Sequence, residues 1–246
     1  MMQGLYTSAS SLGAQQKNID TIANNVANVN TTGFKAMRVD FKEALYTHMF
    51  NTATGEKLEK GTGVLLAATN HNFEQASISL TERPLDLAID SEGFFAIKSP
   101  NGEIRYTRGG NFAVSPGQDG NYLVDSSGNH VMDSEYNTIK IESAETFVVA
   151  SDGTIQGSEQ KIGVFKFANN DGLEEVGGTG FAETTVSGKA EVAVGVNVKQ
   201  SYLEESNVDL AEEMVRLIKA QRTYQLSSRA ITMIDQMEGV ANNLRA

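Results

Sequence analysis

The 246-residue sequence has no cysteine, few basic residues and no long apolar run. Without cysteine the chain can form no disulfide and offers no thiolate site. Its 20 Lys and Arg residues stand against 31 Asp and Glu residues. The resulting net charge of -11 argues against nucleic acid or an anionic membrane surface as a partner, since both attract basic surfaces.

The chain also lacks the features of a membrane or secretory segment. It contains no run of about 18 apolar residues, so no transmembrane helix is expected. The N-terminal stretch has neither a basic start nor a continuous apolar segment, so we do not expect a cleaved signal peptide. Hydrophobic residues make up 40% of the chain and charged residues 21%, a composition that predicts one or two globular domains.

The C-terminal stretch, residues 201–246, predicts one long amphipathic helix. It has no proline, and its only glycine is Gly239. An apolar residue recurs at steps of seven, which is close to a coiled-coil period. The segment from Ser206 to Asp209 resembles a capping box at the helix start. The apolar stripe consists of Leu210, Met214, Leu217, Tyr224, Ile231, Ile234, Met237, Ala241 and Leu244.

Residues 4–30 carry a second apolar seam with the same period. Lys17 and Asp20 are the only charges before Lys35, so we expect a helix that is crowded on several sides. A polar amphipathic helix lying on its own domain is the alternative interpretation. The seam consists of Leu5, Leu12, Ile19 and Val26, with Ala9, Ile22, Ala23 and Val29 beside it.

Four asparagines, Asn24, Asn25, Asn28 and Asn30, close this helix before Gly33. Asparagine and glycine both favour helix ends, so a C-terminal cap explains the cluster. Alternatively, the four carboxamides fix the register against a neighbouring chain.

The middle of the chain has a different pattern of residues. Residues 34–50 are compatible with a short helix, and residues 51–63 with an exposed loop because they hold three glycines. Residues 81–200 alternate short apolar runs with Asn-Gly and Asp-Gly turns, a pattern typical of antiparallel hairpins in a sandwich or open barrel. Near the end of this region, Val192, Val194, Val196 and Val198 are expected to share one strand face.

These patterns predict an α+β fold in which a β domain is inserted between two paired, coiled-coil-like helices. Residues 1–33 and 203–246 form the terminal helical domain, residues 34–80 an extended arm, and residues 81–202 the β-rich domain. The C-terminal helix spans more than about 50 Å at about 1.5 Å per residue, too long for a compact β domain to cover. Self-association therefore accounts best for the apolar surface that the helix pair leaves open.

No chemistry-bearing constellation emerges, so we predict no catalytic, cofactor or metal site. His48, His71 and His130 are scattered without metal-ligand spacing. Asp86 and Asp90 would suit the carboxylate pair of a glycosidase. However, they alternate with apolar residues, a pattern typical of the solvent-facing side of a strand.

Three blocks of the sequence resemble the flagellar basal-body rod and hook proteins of bacteria, in the order in which that family has them. They are IANNVANVNTTGFK (22–35), LDLAIDSEGFFAIKSPNGEIRYTRGGNFAV (85–114) and YLEESNVDLAEEMVRLIKAQRTYQLSSRAI (202–231). The resemblance is strongest to the distal rod protein, with the proximal rod protein and hook-like axial subunits as alternatives.

The resemblance implies a structural subunit that polymerises helically into a torque-transmitting tube around an export channel. The terminal helices would form the inner tube and the β domain the outer layer. Partners would be further copies, other rod and hook subunits and the flagellar type III export apparatus, with no nucleic acid or small-molecule substrate. The location would be the basal body in the periplasm or cell-wall space.

Two other classes of function are weighed against this one. The first is a β-domain binding module whose coiled-coil termini merely trimerise it. The second is a carbohydrate-acting enzyme of the cell wall that uses Asp86 and Asp90.

The predicted self-assembly interface combines both seams with part of the asparagine cluster. Its residues are Leu5, Leu12, Ile19, Ile22, Asn24, Asn25, Val26, Asn28, Leu210, Met214, Leu217, Tyr224, Ile231, Ile234, Met237 and Leu244.

Overall fold

Both terminal stretches are helical in the computed structural model of the chain. Helix α1 spans Met2–Ala27, and helix α2 spans Leu210–Asn243. The structure describes residues 2–44, 47–50, 57–61, 63–117, 120–144, 146–158 and 160–243. Within these ranges, neither helix contains a stretch long and apolar enough to cross a membrane. The predicted α+β class is confirmed.

Short strands fill the chain between the two helices, and one 3-10 helix spans Asn170–Gly172. In chain order the strands are β1 (Met37–Glu43), β2 (Thr47–Phe50), β3 (Lys57–Lys60), β4 (Val64–His71), β5 (Ile78–Leu80), β6 (Leu87–Ile89), β7 (Phe94–Lys98), β8 (Ile104–Thr107), β9 (Ala113–Gly117), β10 (Gly120–Val124), β11 (His130–Val131), β12 (Lys140–Ile141), β13 (Val164–Lys166), β14 (Glu174–Glu175), β15 (Gly180–Ala182), β16 (Glu191–Val192), β17 (Val198–Gln200) and β18 (Tyr202–Glu204).

The chain divides into two compact units. The helical unit comprises Met1–Ala27, Met37–His71 and Asp209–Ala246, and the β unit comprises Asn28–Ala36 and Asn72–Val208. The boundaries expected from the sequence, after residues 33, 80 and 202, stay predictions.

In the helical unit, α1 lies against α2 and also contacts β1 and β4. Strand β1 pairs antiparallel with β4, and β2 pairs antiparallel with β3. The possible helix over residues 34–50 is therefore wrong. Met37, Val39 and Phe41 alternate with charged residues, and this period of two produces a strand with one apolar face. The exposed loop expected at 51–63 is wrong where β3 forms, and residues 51–56 and 62 lie outside the described residues.

The β unit contains an antiparallel sheet whose main strand order is β12-β10-β11-β7-β8-β15-β14. Strand β13 pairs with β7 and β16, and β9 pairs with β10. Two further antiparallel pairs, β17 with β6 and β18 with β5, lie outside this sheet. The predicted hairpin between β7 and β8 is confirmed, and Gly102 supplies the positive φ that its turn requires. Closure into a sandwich or barrel stays a prediction.

Burial of strand β7 on both faces explains why its sequence is a nearly continuous apolar run. Phe95 and Ile97 point into one buried cluster with Leu123. Phe94 and Ala96, on the opposite face of the strand, belong to a second buried cluster. A strand buried on both faces has no position for a polar residue, so the usual alternation disappears.

The valine run near the end of the β unit does not form the single strand expected from its pattern. Val194 is 94% exposed, whereas Val196 and Val198 are buried. Gly195 adopts a φ of +74°, a left-handed conformation that interrupts the strand between β16 and β17. The shared valine face is therefore wrong.

Candidate self-assembly surface

Helix α1 buries a narrow face made of small and branched residues. Ala14 and Ile22 are buried, and the heptad residues beside them are half-buried. The Ser11 and Ser227 hydroxyls approach to 3.4 Å, and an added Cβ at Gly4 would meet Ile234 Cδ1 at 3.4 Å. These two contacts show that α1 and α2 run antiparallel.

Helix α2 begins with a well-formed cap. The Asp209 carboxylate accepts from the backbone N–H groups of Ala211 at 2.8 Å and Glu212 at 3.1 Å. The capping residue is therefore Asp209, not Ser206 as the sequence pattern indicated. Glu212 and Glu213 follow in the first turn, where negative charge is favourable.

The side of α2 that faces α1 is the predicted seam. Ala220 is buried, and Leu217, Tyr224, Ile231 and Ile234 are half-buried. The coiled-coil form of the pairing stays a prediction.

The opposite side of α2 is apolar too, and it is exposed. About half or more of each large apolar side chain there is open to solvent. Since residues 3 or 4 positions apart lie on the same side of a helix, these side chains form a continuous outer face. This outer face consists of Leu210, Met214, Val215, Ile218, Leu226, Met233, Met237 and Val240.

The structure distributes the predicted interface residues over several environments. Ile22 and Asn25 are buried, whereas Asn24, Leu210, Met214 and Met237 are exposed. Leu244 lies outside the described residues. The remaining predicted residues, Leu5, Leu12, Ile19, Val26, Asn28, Leu217, Tyr224, Ile231 and Ile234, are half-buried.

Sequence reasoning missed much of the outer face of α2. The prediction followed a single seven-residue repeat. That repeat does not include Val215, Ile218, Leu226, Met233 and Val240. The sequence does contain a signal for this face, because apolar residues occupy two sides of α2. A helix of this kind is expected to pack against a partner on both sides.

Asn25 has an intrachain role that the asparagine cluster did not reveal. Its carboxamide donates to Met37 O and accepts from Met37 N–H, both at 2.8 Å. The side chain is buried, so Asn25 replaces a strand partner for Met37 at the start of β1. In the β unit, Asn28 Oδ1 accepts from the Thr31 hydroxyl at 3.1 Å. An interchain role for Asn24 and Asn28 stays a prediction.

A groove of about 330 Å³ lies in the helical unit beside α1, α2 and β1. Ile22, Met37 and Ala220 contribute apolar lining. Glu213 also lines it, and its Oε1 accepts from Arg216 Nη1 at 3.0 Å. Glu213 Oε2 is buried and has no hydrogen-bond partner among the described residues. The groove therefore offers one buried acceptor.

The β unit contains a buried ionic cluster centred on Glu204. Glu204 Oε1 accepts from Lys35 Nζ at 2.7 Å and from Ala76 N–H at 3.0 Å, and Oε2 accepts from Arg108 Nη1 at 3.2 Å. Burial lowers the pKa of Lys35, and the charge of Glu204 opposes that shift. No local sequence pattern indicates this cluster, because residues 35, 108 and 204 lie far apart along the chain.

Asn207 reinforces the same region. Its Oδ1 accepts from Ala36 N–H at 2.7 Å, and its Nδ2 donates to Asn72 O at 2.7 Å. Together with Glu204, Asn207 ties the chain segments at residues 33–36, 72–76 and 204–207 to one another inside the β unit.

The candidate glycosidase carboxylates lie in different surroundings. Asp90 binds Lys199 Nζ at 2.9 Å on the surface, and buried Asp86 lies 3.7 Å from Arg83 Nη1. A polar cleft of about 440 Å³ elsewhere in the β unit is lined by Arg105 and Asp125 but by neither of these carboxylates. Among the described residues, no group of three or more His, Cys, Asp or Glu side chains is placed to hold a metal ion.

Comparison with protein families gives three matches that follow the chain in order. Residues 5–35 match the family described as "Flagella basal body rod protein". Residues 88–157 match "Flagellar hook protein FlgE/F/G D1 domain", and residues 199–244 match "Flagellar basal body rod FlgEFG protein C-terminal".

Curated relatives match over nearly their whole length. The flagellar basal-body rod protein FlgG of Borreliella burgdorferi is 39% identical over 266 residues, covering 100% of this chain and 99% of the relative. FlgG of Buchnera aphidicola is 37% identical, covering 96% of this chain and 97% of the relative. FlgG of Caulobacter vibrioides is 36% identical and covers 100% of both chains.

Proposed function

Because the chain belongs to the flagellar basal-body rod protein family, we propose that it polymerises helically through its two terminal helices. It is a structural subunit of the flagellar rod, similar to the distal rod protein, and it assembles with other rod and hook components. The full-length similarity favours this function over a trimerised binding module or a cell-wall enzyme.

The observation that carries the proposal is the second apolar face of α2. One side of the helix packs on α1, and the other presents a row of exposed apolar side chains. Fully burying one such side chain stabilises a protein by about 1.5–3 kcal/mol, so covering this face favours association strongly. Exposed apolar surfaces of this extent are typical of protein–protein interfaces.

The distribution of charge supports the same surface. The helical unit has ten Lys and Arg residues and ten Asp and Glu residues, so its net charge is zero. The β unit has ten Lys and Arg residues against 21 Asp and Glu residues, so it carries the entire net charge of -11. Copies of the β unit repel one another, and the neutral helical unit is the part that favours contact between copies.

Three further features of the proposal rest on family membership. The polymer is a tube whose inner layer is made of terminal helices and whose outer layer is made of β domains. It transmits torque and surrounds an export channel, and the subunit is exported by the flagellar type III apparatus. The rod lies in the periplasm or cell-wall space.

The proposal is tested with the purified full chain by sedimentation velocity and electron microscopy over a range of concentrations. We expect monomers at low concentration and open-ended tubes at high concentration, because head-to-tail contacts do not close. A single discrete oligomer at every concentration would support the trimerised module and contradict the rod subunit.

Two matched variants locate the interface. Ile218→Asp places a charge on the outer face of α2 and leaves the contact with α1 intact. Thr223→Asp places the same charge at an exposed position on another side of α2. We expect Ile218→Asp to prevent tube formation and Thr223→Asp to permit it. Equal assembly by both variants would overturn the assignment of this face.

A further inference from the structure

The exposed methionines that the structure describes all lie on the outer face of α2. The sequence has no cysteine and no tryptophan, so its eight methionines carry all of its sulfur. Among those whose side chains the structure describes, Met37 is half-buried and Met132 is only 1% exposed. The exposed ones are Met214, Met233 and Met237. The accessible thioethers are thus concentrated on one surface.

These three side chains are open to solvent in the free chain. Met214, Met233 and Met237 are 50%, 56% and 55% exposed. Met233 and Met237 are neighbours on the helix surface, because residues four positions apart lie on the same side. Met214 lies near the other end of α2, so the methionines occupy both ends of the outer face. A small oxidant in solution can reach all three before the chain assembles.

Methionine thioethers react directly with peroxides. A lone pair of the sulfur attacks one oxygen of hydrogen peroxide, so that an S–O bond forms and the O–O bond breaks. The second oxygen leaves as hydroxide, which takes the proton from the new S–OH group and becomes water. The thioether is thereby oxidised to a sulfoxide, and the peroxide is reduced to water.

A sulfoxide changes what the outer face of α2 can bind. It converts a flexible apolar side chain into a polar one. In the free chain its oxygen remains hydrated, but burial without a hydrogen-bond donor is costly. The side chains of Val215, Ile218 and Val240 on the same face offer no donor. Covering an oxidised face is therefore much less favourable than covering the unmodified one.

We infer that Met214, Met233 and Met237 form a peroxide-sensitive modification site whose oxidation prevents the free chain from assembling. The inference rests on the proposed function, because it takes the outer face of α2 as a surface that neighbouring copies cover. Assembly in turn protects the thioethers, since a covered side chain is closed to the oxidant. Reduction of the sulfoxides restores the apolar side chains, so the modification is reversible.

Peptide mapping by mass spectrometry tests the selectivity of the site independently of assembly. Dilute monomer is treated with hydrogen peroxide, sulfoxide formation is followed at each methionine, and circular dichroism monitors the fold. We expect the three exposed methionines to oxidise at least about tenfold faster than buried Met132, because the reaction requires an accessible sulfur. Equal rates at Met132 in protein that stays folded would overturn the site.

Sedimentation measures the effect of oxidation on assembly. The oxidised chain should have a critical concentration at least about tenfold higher than the reduced chain, because buried sulfoxides lack donors. Methionine sulfoxide reductases for both sulfoxide epimers, with dithiothreitol as reductant, should restore the original value. In preformed tubes the three methionines should oxidise at least about tenfold more slowly than in the monomer. An unchanged critical concentration after full oxidation would contradict the inference.

Two triple variants provide matched controls. Met214→Leu/Met233→Leu/Met237→Leu keeps the face apolar and removes its sulfur, so its critical concentration should match that of the unsubstituted chain and stay unchanged after peroxide. Met214→Gln/Met233→Gln/Met237→Gln introduces polar side chains, so it should assemble poorly without any oxidant. The inference fails if the leucine variant loses assembly after peroxide, or if the glutamine variant assembles normally.

The outcomes separate this inference from the proposed function. If the reduced, unsubstituted chain forms no tubes, the proposed function fails and the inference fails with it. If the reduced chain forms tubes and the oxidised chain forms them at the same critical concentration, only the methionine site fails.

Discussion

Lys35 Nζ lies 2.7 Å from Glu204 Oε1, and the side chains of both residues are at most 1% exposed. Glu204 also binds Arg108, whose side chain is 3% exposed, so one carboxylate forms ion pairs with two buried cations. The backbone joins the same cluster, because Gly33 N–H donates to Glu204 O at 2.8 Å. Glu204 thereby holds the segment that follows α1 against the segment that precedes α2, within the β unit.

Replacement of Glu204 should therefore destabilise the protein strongly. Glu204→Gln removes the negative charge that Lys35 and Arg108 share in the buried cluster. Removing one partner of a buried ion pair typically costs about 3–5 kcal/mol. Urea unfolding of the full chain measures the loss, with the exposed neighbour in Glu205→Gln as the control. A loss below that of the control would show that the cluster contributes little.

The hydrogen bonds of Asn25, in the last turn of α1, give a second prediction. Asn25→Ala removes the partners of Met37 N–H and Met37 O, and a buried polar group left unsatisfied costs about 1–3 kcal/mol. We expect a lower melting temperature and faster amide exchange in β1. Asn30→Ala, at an exposed position of the same asparagine cluster, should change neither. Unchanged exchange in β1 after Asn25→Ala would contradict the strand-partner role.

Much of the fold follows from patterns that are local in the sequence. The heptad steps from Leu5 and Leu217 predict two helices, and the Asn101-Gly102 turn predicts a hairpin. These signals are reliable because each depends on neighbours within one element. The strand β1 was missed although Met37 and Val39 alternate with charged residues, because helix and strand periods are hard to separate in a short segment.

The candidate site was predictable only in part. The heptad pattern identifies the side of α2 that packs on α1, but Ile218 and Met233 belong to the outer face, which the pattern does not follow. The ionic cluster could not be predicted, because Lys35 and Glu204 meet only after the β unit has folded. The sequence pattern marks Asn25 only as one of four clustered asparagines, and its partner Met37 lies in a strand that the pattern does not identify.

Two adjacent glycines give a prediction on backbone packing. An added Cβ at Gly110 would lie 1.7 Å from Leu87 O, a clash that only movement of the backbone relieves. At Gly109 the nearest atom would be Thr107 Oγ1 at 3.4 Å, an ordinary contact. Gly110→Ala should therefore cost at least about 1–3 kcal/mol in unfolding free energy, as overpacking does, and Gly109→Ala less than about 0.5 kcal/mol. Similar urea midpoints for the two variants would contradict this packing.

Asp90 gives a prediction on pH. Its hydrogen bond with Lys199 lowers its pKa below the ordinary 3.8, so the folded state binds this proton less tightly than the unfolded state. The contribution to stability is present above pH 3.8 and is lost as the pH falls through the lower folded value. Since the pair is partly exposed, Asp90→Asn should cost only about 0.2–1 kcal/mol at pH 7.

The difference between Asp90→Asn and the unsubstituted chain should shrink towards zero in strong acid. Urea unfolding at pH 7 and at decreasing pH below 4 measures it. Asp171→Asn, which makes the same change in net charge at an exposed site, should show no such convergence. A stability difference that persists below the folded pKa of Asp90 would exclude the ion pair as its cause.

The segregation of charge predicts that assembly depends on salt. The β unit carries 21 acidic and ten basic residues, so neighbouring copies in a polymer repel one another through this unit. The screening length falls from about 10 Å at 0.1 M salt to about 3 Å at 1 M. The critical concentration measured by sedimentation should therefore fall several-fold between these salt concentrations.

Because salt also strengthens apolar contacts, the double variant Glu174→Gln/Glu175→Gln in β14 supplies the control. It removes two exposed negative charges from the β unit, so it should assemble at a lower concentration in 0.1 M salt and respond less to added salt. An identical salt response in both proteins would show that repulsion between β units does not set the critical concentration.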